Sequence, residues 1–243
     1  MRNVIVTGGS RGIGLAITRT LAGSGYHVIA LARTKSIELE LAISDAPASG
    51  GEIRYRACDL SDIAAIPDLV KQLHETYGPI YGLVNNAGLG TSGVLATMQD
   101  AKIEQLIRLN VLSPITLTKY VVRAMMATGG SRIINISSIV STTGYNGLSA
   151  YAATKAALVG FTHSLARELG RLDITVNAIA PGFIATDMTH SLSPAQQAQI
   201  ERRSALHRLP ETNDVANAVC YLLSDGARNV TGTVLTVDAG GTA

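Results

Sequence analysis

The chain has 243 residues, 47% of them hydrophobic and 16% charged, which excludes a disordered or linker-like polypeptide and suffices for one large core spanning residues 1–243. Twenty Lys and Arg against 18 Asp and Glu give a net charge of +2 without a basic run, so no nucleic-acid partner is expected. Cys58 and Cys220 lie outside any C-x-x-C spacing and the histidines are scattered, so neither a disulfide framework nor a metal site is expected. No apolar run approaches the ~18 residues of a membrane span, and the first one is too short for a signal-peptide core. A reducing cytoplasm is the expected setting.

Short β-branched runs alternate with amphipathic stretches along the whole chain. Strands are predicted at Val4 to Thr7, Val28 to Ala32, Ile53 to Ala57, Ile80 to Asn85, Arg132 to Ser137, Thr175 to Ile179 and Val234 to Val237. Between them, helical patterns run over Gly12 to Ala22, Ile37 to Ile43, Ile63 to Thr76, a single long stretch near Ala101 to Ala127, Tyr151 to Leu169, and Val215 to Leu223. Strand alternating with helix implies a parallel sheet covered on both faces, and a Gly-rich turn after the first strand makes it a doubly wound, Rossmann-type α/β sheet of seven strands. Ala46 to Gly51 reads as a loop rather than a domain hinge. Gly182 to Leu209 interrupts the rhythm, with Pro194 opening a polar helical piece and Pro210 closing the insert; residues 183–209 stand where a substrate lid would be.

The turn Thr7-Gly8-Gly9-Ser10-Arg11-Gly12-Ile13-Gly14 follows a strand and opens a helix, the context in which backbone N–H groups meet a dinucleotide's phosphates. Its spacing, G-x-x-x-G-x-G, departs from G-x-G-x-x-G, and a tight strand-to-helix connection is the other reading. No carboxylate ends the second strand, which reads Leu31-Ala32-Arg33-Thr34-Lys35. An NAD ribose would lack its usual acceptor there, whereas Arg11 and Arg33 together suit a 2′-phosphate, pointing to NADPH. Two solvated arginines are the alternative.

Tyr151 and Lys155, four residues apart on one helix, share a face. The ammonium is expected to lower the phenol's pKa toward the working range of a general acid. Ser137 and Ser138 end the fifth strand at the sheet edge where doubly wound folds bind ligands, and spacing alone does not choose between them. Asn85-Asn86-Ala87-Gly88 ends the fourth strand, either as a cofactor contact or as an ordinary Asn/Gly turn.

Taken in order, these residues resemble the short-chain dehydrogenase/reductase family over practically the whole chain. T-G-G-S-R-G-I-G looks like the family's cofactor turn, with Gly8, Ser10, Arg11, Gly12, Ile13 and Gly14 as contacts; Cys58-Asp59-Leu60 resembles its adenine site, with Asp59 and Leu60. N-N-A-G with Asn86, Ala87 and Gly88, then Asn110, Ser138, Tyr151-x-x-x-Lys155 and Pro181-Gly182 follow. Within the family the chain most resembles bacterial β-ketoacyl-acyl-carrier-protein reductases, through R-A-M-M at Arg123 to Met126, the stretch from Tyr151 to Leu169, and A-P-G-F-I-A-T-D-M-T at Ala180 to Thr189.

The resemblance implies NADPH-dependent reduction of a 3-oxoacyl thioester, in fatty-acid or polyketide synthesis. Tyr151 would protonate the carbonyl oxygen and Ser138, selected over Ser137 by the family's spacing, would hold it. Lys155 would bond the nicotinamide ribose, and Asn110 would hold a water in a proton relay. Ile184 and Thr186 would fix the carboxamide. The family's carrier-binding basic residues are thin here: Ala127 to Arg132 is nearly uncharged, leaving Arg167 and Arg171, which also read as a solvated helix end. A coenzyme A thioester, or another ketone such as a steroid, sugar or secondary metabolite, is therefore the competing substrate, and a silent nicotinamide-binding protein the competing class. Tyr145, Phe183, Met188 and Leu192 are expected either to line an acyl pocket or simply to pack, and a homotetramer is expected by resemblance.

Overall fold

Seven short aliphatic runs hydrogen-bond side by side, all parallel, in the order β3-β2-β1-β4-β5-β6-β7. The computed structural model describes residues 2–46, 50–184 and 194–243. The strands are β1 (Asn3–Thr7), β2 (His27–Ala32), β3 (Glu52–Ala57), β4 (Ile80–Asn85), β5 (Arg132–Ile136), β6 (Thr175–Pro181) and β7 (Val234–Val237). Their connections carry α1 (Gly12–Gly23), α2 (Ile37–Ser44), α3 (Ile66–Tyr77), α4 (Asp100–Ile107), α5 (Ser113–Met125), α6 (Ser149–Leu169), α7 (Pro194–Arg203) and α8 (Thr212–Leu223). Among the described residues no helix is long and apolar enough to cross a membrane.

Alternate strand residues face opposite sides, which is why the central strands are apolar throughout. Val4, Val6, Val28 and Ile134 pack into a layer with α1 and α8, while Ile5, Ile29, Leu83 and Ile133 pack into a second layer with α3, α5 and α6. Strand order reverses between β1 and β4, so their carboxyl ends open a crevice.

The sequence expectations of a doubly wound seven-stranded sheet and of an opening Pro at 194 agree with this structure. The stretch expected over Ala101 to Ala127 is helical from Asp100 to Met125, but it is not one regular α-helix. A π-turn at Arg108–Leu112 is inserted in it, after which the α-helical ladder resumes as α5 with Pro114 in its first turn. Proline has no N–H to offer the carbonyl four residues back, which is that of Asn110, and its ring crowds it, so a continuous α-helix is blocked at this point. Part of the Ala46 to Gly51 loop and most of the front half of the insert lie outside the described residues.

A polar seam crosses the second core layer. Asn85 Nδ2 donates to Thr118 Oγ1 at 2.9 Å and to Asn135 Oδ1 at 2.8 Å, and Asn135 Nδ2 donates to Thr162 Oγ1 at 2.8 Å. Asn85 Oδ1 is buried with no hydrogen-bond partner among the described residues. The seam ties β4 and β5 to α5 and α6 side chain by side chain. Replacing Asn135 by Ala leaves buried groups on both neighbours short of a partner, at a cost of about 1–3 kcal/mol. A urea titration should show that loss as a lowered midpoint at unchanged slope; an unaltered midpoint would mean that the seam contributes nothing.

Candidate active site

The β1–α1 turn is built for close approach. Gly8 takes φ +66°, and a side chain on Gly14 would put its Cβ 2.0 Å from the Gly8 carbonyl oxygen, so the helix starts directly against the turn. Arg11, extended and exposed, precedes α1, whose first turn has neither a side-chain cap nor an acidic residue. Its N–H groups and the positive end of its dipole thus face the crevice. Ser36 Oγ donates to the Ser10 carbonyl at 2.6 Å while accepting from Leu39 N, which fixes the turn to α2. Ile13 packs against the α1–α8 layer.

Thr7 joins this turn to the end of β4. Its hydroxyl accepts from the main-chain N–H of both Asn86 and Ala87 at 2.9 Å and donates to the Val84 carbonyl, while Asn86 Nδ2 donates to the Thr7 carbonyl. Asn86, Ala87 and Gly8 are therefore adjacent. Gly88 continues the path: a methyl group built on it would stand 3.2 Å from Asn110 Oδ1 and 3.6 Å from Lys155 Nζ. On the far side of the turn, Asp59 Oδ1 accepts from Ser61 N and Oγ, which holds its carboxyl below the usual range, with the Arg33 guanidinium adding to that effect. Arg33 and Asp59 are exposed, whereas Leu60 is buried in the α3 layer.

Asn110 sits in the π-turn, 1% exposed. Its amide clamps the loop after β4, accepting from Leu89 N and donating to Leu89 O, both at 2.8 Å, and also donating to Thr154 Oγ1 at 3.1 Å. Thr154 in turn donates to the Tyr151 carbonyl. Neither Thr154 nor Thr7's bridging role was singled out from the sequence; a buried threonine beside a lysine has no distinctive pattern.

Lys155 is 5% exposed and its Nζ donates to the Ile136 carbonyl at 2.8 Å. Burial pushes the ammonium down to about 8. The two serines separate here: Ser137 Oγ donates to the Lys155 main-chain carbonyl at 2.9 Å, while Ser138 hydrogen-bonds the Tyr151 phenol. The expected lowering of the Tyr151 pKa is corrected by the structure. Burial pushes the phenol up to about 12, with the Ser138 hydrogen bond pulling the other way. Lys155 Nζ stands 5.8 Å from the centre of the Tyr151 ring and its proton is directed at a carbonyl instead. Desolvation therefore outweighs the nearby charge.

Beyond Ser138 lies a cavity of about 280 Å3 bordered by Ile139, Tyr145, Gly182, Phe183 and the inner face of α7. Tyr145 and Phe183 meet edge to face at 5.4 Å. Gly182 N donates to Val237 O at 2.9 Å, Pro181 ends β6, and Ile184 is buried. Thr186, Met188 and Leu192 lie outside the described residues. The structure thus brings Asn110, Ser138, Tyr151 and Lys155 to one end of the crevice and the Gly turn to the other. Gln199, Arg203 and Leu209, from the stretch expected as a substrate lid, and Pro210, which closes that insert, border the cavity as well.

A lysine whose ammonium is destabilised in the folded state makes stability depend on pH. Between about 8 and 10.5 the unfolded chain holds the proton and the folded one has released it, so stability rises with pH across that window. Compared with Lys155→Met, the wild-type protein should gain about 3 kcal/mol as pH rises from 8 to 10.5. Denaturant titrations of both proteins across this range check it, and parallel curves would contradict it.

A family model described as short chain dehydrogenase matches residues 2–197. The 3-oxoacyl-[acyl-carrier-protein] reductase FabG of Escherichia coli (strain K12) is 42% identical over 236 residues, covering 97% of this chain and 95% of that protein. The protein of that name from Staphylococcus epidermidis is 34% identical over 239 residues, 98% of each. Among solved structures, a blue fluorescent protein from a metagenomic library in complex with NADPH superposes with a TM-score of 0.92 at 34% identity, covering 100% of this chain and 98% of that one. A short chain dehydrogenase from Burkholderia cenocepacia in complex with NADP gives 0.92 at 32% identity with the same coverage. With its model matched over most of the length and relatives this similar end to end, the chain belongs to the short-chain dehydrogenase family of oxidoreductases.

Proposed function

We propose that the protein uses NADPH to reduce the keto group of a 3-oxoacyl thioester to the 3-hydroxyacyl thioester. The observation that carries this reading is the meeting of Ser138, Tyr151 and Lys155 beside a largely apolar cavity, at the far end of a crevice that begins at a phosphate-type turn. The residues described fit the cofactor: the uncapped start of α1 and the turn from Gly8 to Gly14 would receive the pyrophosphate, Asp59 and Leu60 would border the adenine, and Pro181, Gly182 and Ile184 would border the carboxamide, a role for which the sequence also offers Thr186. Arg11 and Arg33, both exposed with no carboxylate at the end of β2, would receive the 2′-phosphate. When bound, the nicotinamide supplies a hydride to the carbonyl carbon.

The chain's own residues handle the proton. Ser138 donates a hydrogen bond to the carbonyl oxygen and holds it against the phenol. Tyr151, a proton carrier at neutral pH, delivers its proton to that oxygen as negative charge develops. Lys155 holds the nicotinamide ribose and restores the proton to Tyr151. Both Nδ2 hydrogens of Asn110 are engaged, with Leu89 and Thr154, and Oδ1 accepts from Leu89. A relay water would be held by its main-chain carbonyl, which Pro114 leaves without an α-helical donor.

The similarity to carrier-protein reductases supports an acyl-carrier thioester in fatty-acid or polyketide synthesis. One observation favours coenzyme A or a free ketone instead: Arg132, the lone cation of its loop, is 4% exposed and donates to the carbonyls of Gly130, Ser131 and Asp173. Only Arg167 and Arg171 remain exposed at the end of α6 for an acidic carrier. Exposed Ile107, Leu112, Ile115 and Met126, spread from the end of α4 through the π-turn to just past α5, suit a homotetramer, and a cytoplasmic setting goes with this reading.

Initial rates of NADPH oxidation with acetoacetyl-coenzyme A and with acetoacetyl-carrier protein test the reading; no rate on either overturns the thioester. Tyr151→Phe should lower kcat by about 10²–10⁴-fold with NADPH binding retained. NADH binding as tightly as NADPH in a fluorescence titration would contradict the role of Arg11 and Arg33.

A further inference from the structure

The last turn of α7 carries Arg202 and Arg203, and either serves the negative end of the helix dipole. Only Arg203 borders the cavity, together with Gln199 one turn earlier on the same face. The rest of the wall is mainly apolar, with Ile139, Phe183, Ile200 and Leu209 among its members. Arg203 is exposed while bordering the cavity, so it stands at the rim. Among the described residues it has no hydrogen-bond or ion-pair partner.

The other charged side chain on the wall, Asp238, does not neutralise it. Asp238 Oδ1 accepts from Gly240 N at 2.9 Å, and Oδ2 accepts from Thr242 N at 2.8 Å and Thr242 Oγ1 at 2.6 Å. Both carboxylate oxygens are thus turned into the carboxyl-terminal loop. At the ~30 Å3 that a non-hydrogen atom group takes in a liquid, 280 Å3 holds on the order of nine such groups. That is a short chain, followed at the rim by a guanidinium and an amide offering N–H donors.

We infer that Arg203 is a specificity-determining residue that binds an anionic oxygen group, a carboxylate or a phosphate, on the substrate. This rests on the reductase reading above and narrows its substrate class. The group comes either from the far end of a short acyl chain or from the phosphate of a pantetheine arm. A planar guanidinium with a free fork suits both, and a neutral ketone uses neither.

Three thioesters separate the sources: acetoacetyl-N-acetylcysteamine, which carries no anion; the 3-oxoadipyl monothioester of N-acetylcysteamine, which adds a carboxylate; and acetoacetyl-4′-phosphopantetheine, which adds a phosphate. Arg203→Gln should lower kcat/KM about tenfold, through KM, on one anionic substrate and leave the neutral one unchanged, and Arg202→Gln should change none. The substrate that loses identifies the source. Equal losses on all three, or none, overturn the inference. If the wild-type protein turns over none of them, the thioester reading fails first. Calorimetric titration of wild type and Arg203→Gln with 4′-phosphopantetheine and with adipate then decides Arg203, and absent or equal binding overturns it.

Discussion

Residue 155 is fastened to the end of β5 at both of its ends, and the site's geometry depends on that double attachment. The Lys155 carbonyl accepts from Ser137 Oγ, and its ammonium donates to the carbonyl of Ile136, the residue before. A helix bound this way to a strand can neither slide along it nor rotate without breaking a buried bond. Tyr151, one turn earlier, is placed by the same attachment, and Ser138, one residue past Ser137, is placed opposite it. The cost is a cation held out of water, visible in its lowered pKa; a single carbonyl partner does not replace hydration in full. Stability is given up there to fix position, as is common at functional sites.

The same logic explains the π-turn in the helical run before β5. A regular α-helix through residue 110 would turn the Asn110 amide along the helix surface. The π-turn sends that amide instead to Leu89 on the loop after β4 and to Thr154 on α6, locking three elements at one buried point. The opposite edge of the sheet is organised differently. There Tyr26 stacks on Tyr81, Arg2 lies 4.5 Å from the Tyr81 ring centre and pairs with Asp225 at 2.7 Å, and Arg132 is held by main-chain carbonyls. Those groups bond to one another, whereas the groups around the carboxyl-edge crevice leave donors facing outward. The sheet is anchored at one edge and open at the other.

Strands and most helices were legible because apolar periodicity is a property of the chain itself. The break at the π-turn was not, although S-P inside an otherwise helical run was its signal: a proline four residues after a polar residue frees that residue's carbonyl. Asn135 was visible in the same sense, as an amide in the middle of R-I-I-N-I, but only the structure supplies its partners Asn85 and Thr162. The residues alone left both Ser137 and Ser138 open at the end of the strand, and it was the family's spacing to Tyr151 that selected Ser138. Backbone direction at the strand's end separates them, sending one hydroxyl to α6's main chain and the other to the phenol. Arg203 carried no sequence pattern at all, since membership of a cavity wall is a tertiary fact.

The phenol's pKa shows most clearly what spacing omits. An ammonium four residues away suggested a lowered value, yet distance along a helix says nothing of where the ammonium's protons go or how dry the phenol is. With Lys155 donating to Ile136 and Tyr151 buried, desolvation prevails and the phenol keeps its proton at neutral pH. For the proposed reduction this is the useful state. A general acid must hold its proton until charge appears on the substrate oxygen, and a dry site strengthens the pull of that charge when it comes. Lys155, titrating near neutrality, is the better-matched source for the proton Tyr151 then needs, because a group with pKa about 8 both holds and releases it at working pH. Burial thus sets the two groups in order, the phenol to deliver and the ammonium to resupply.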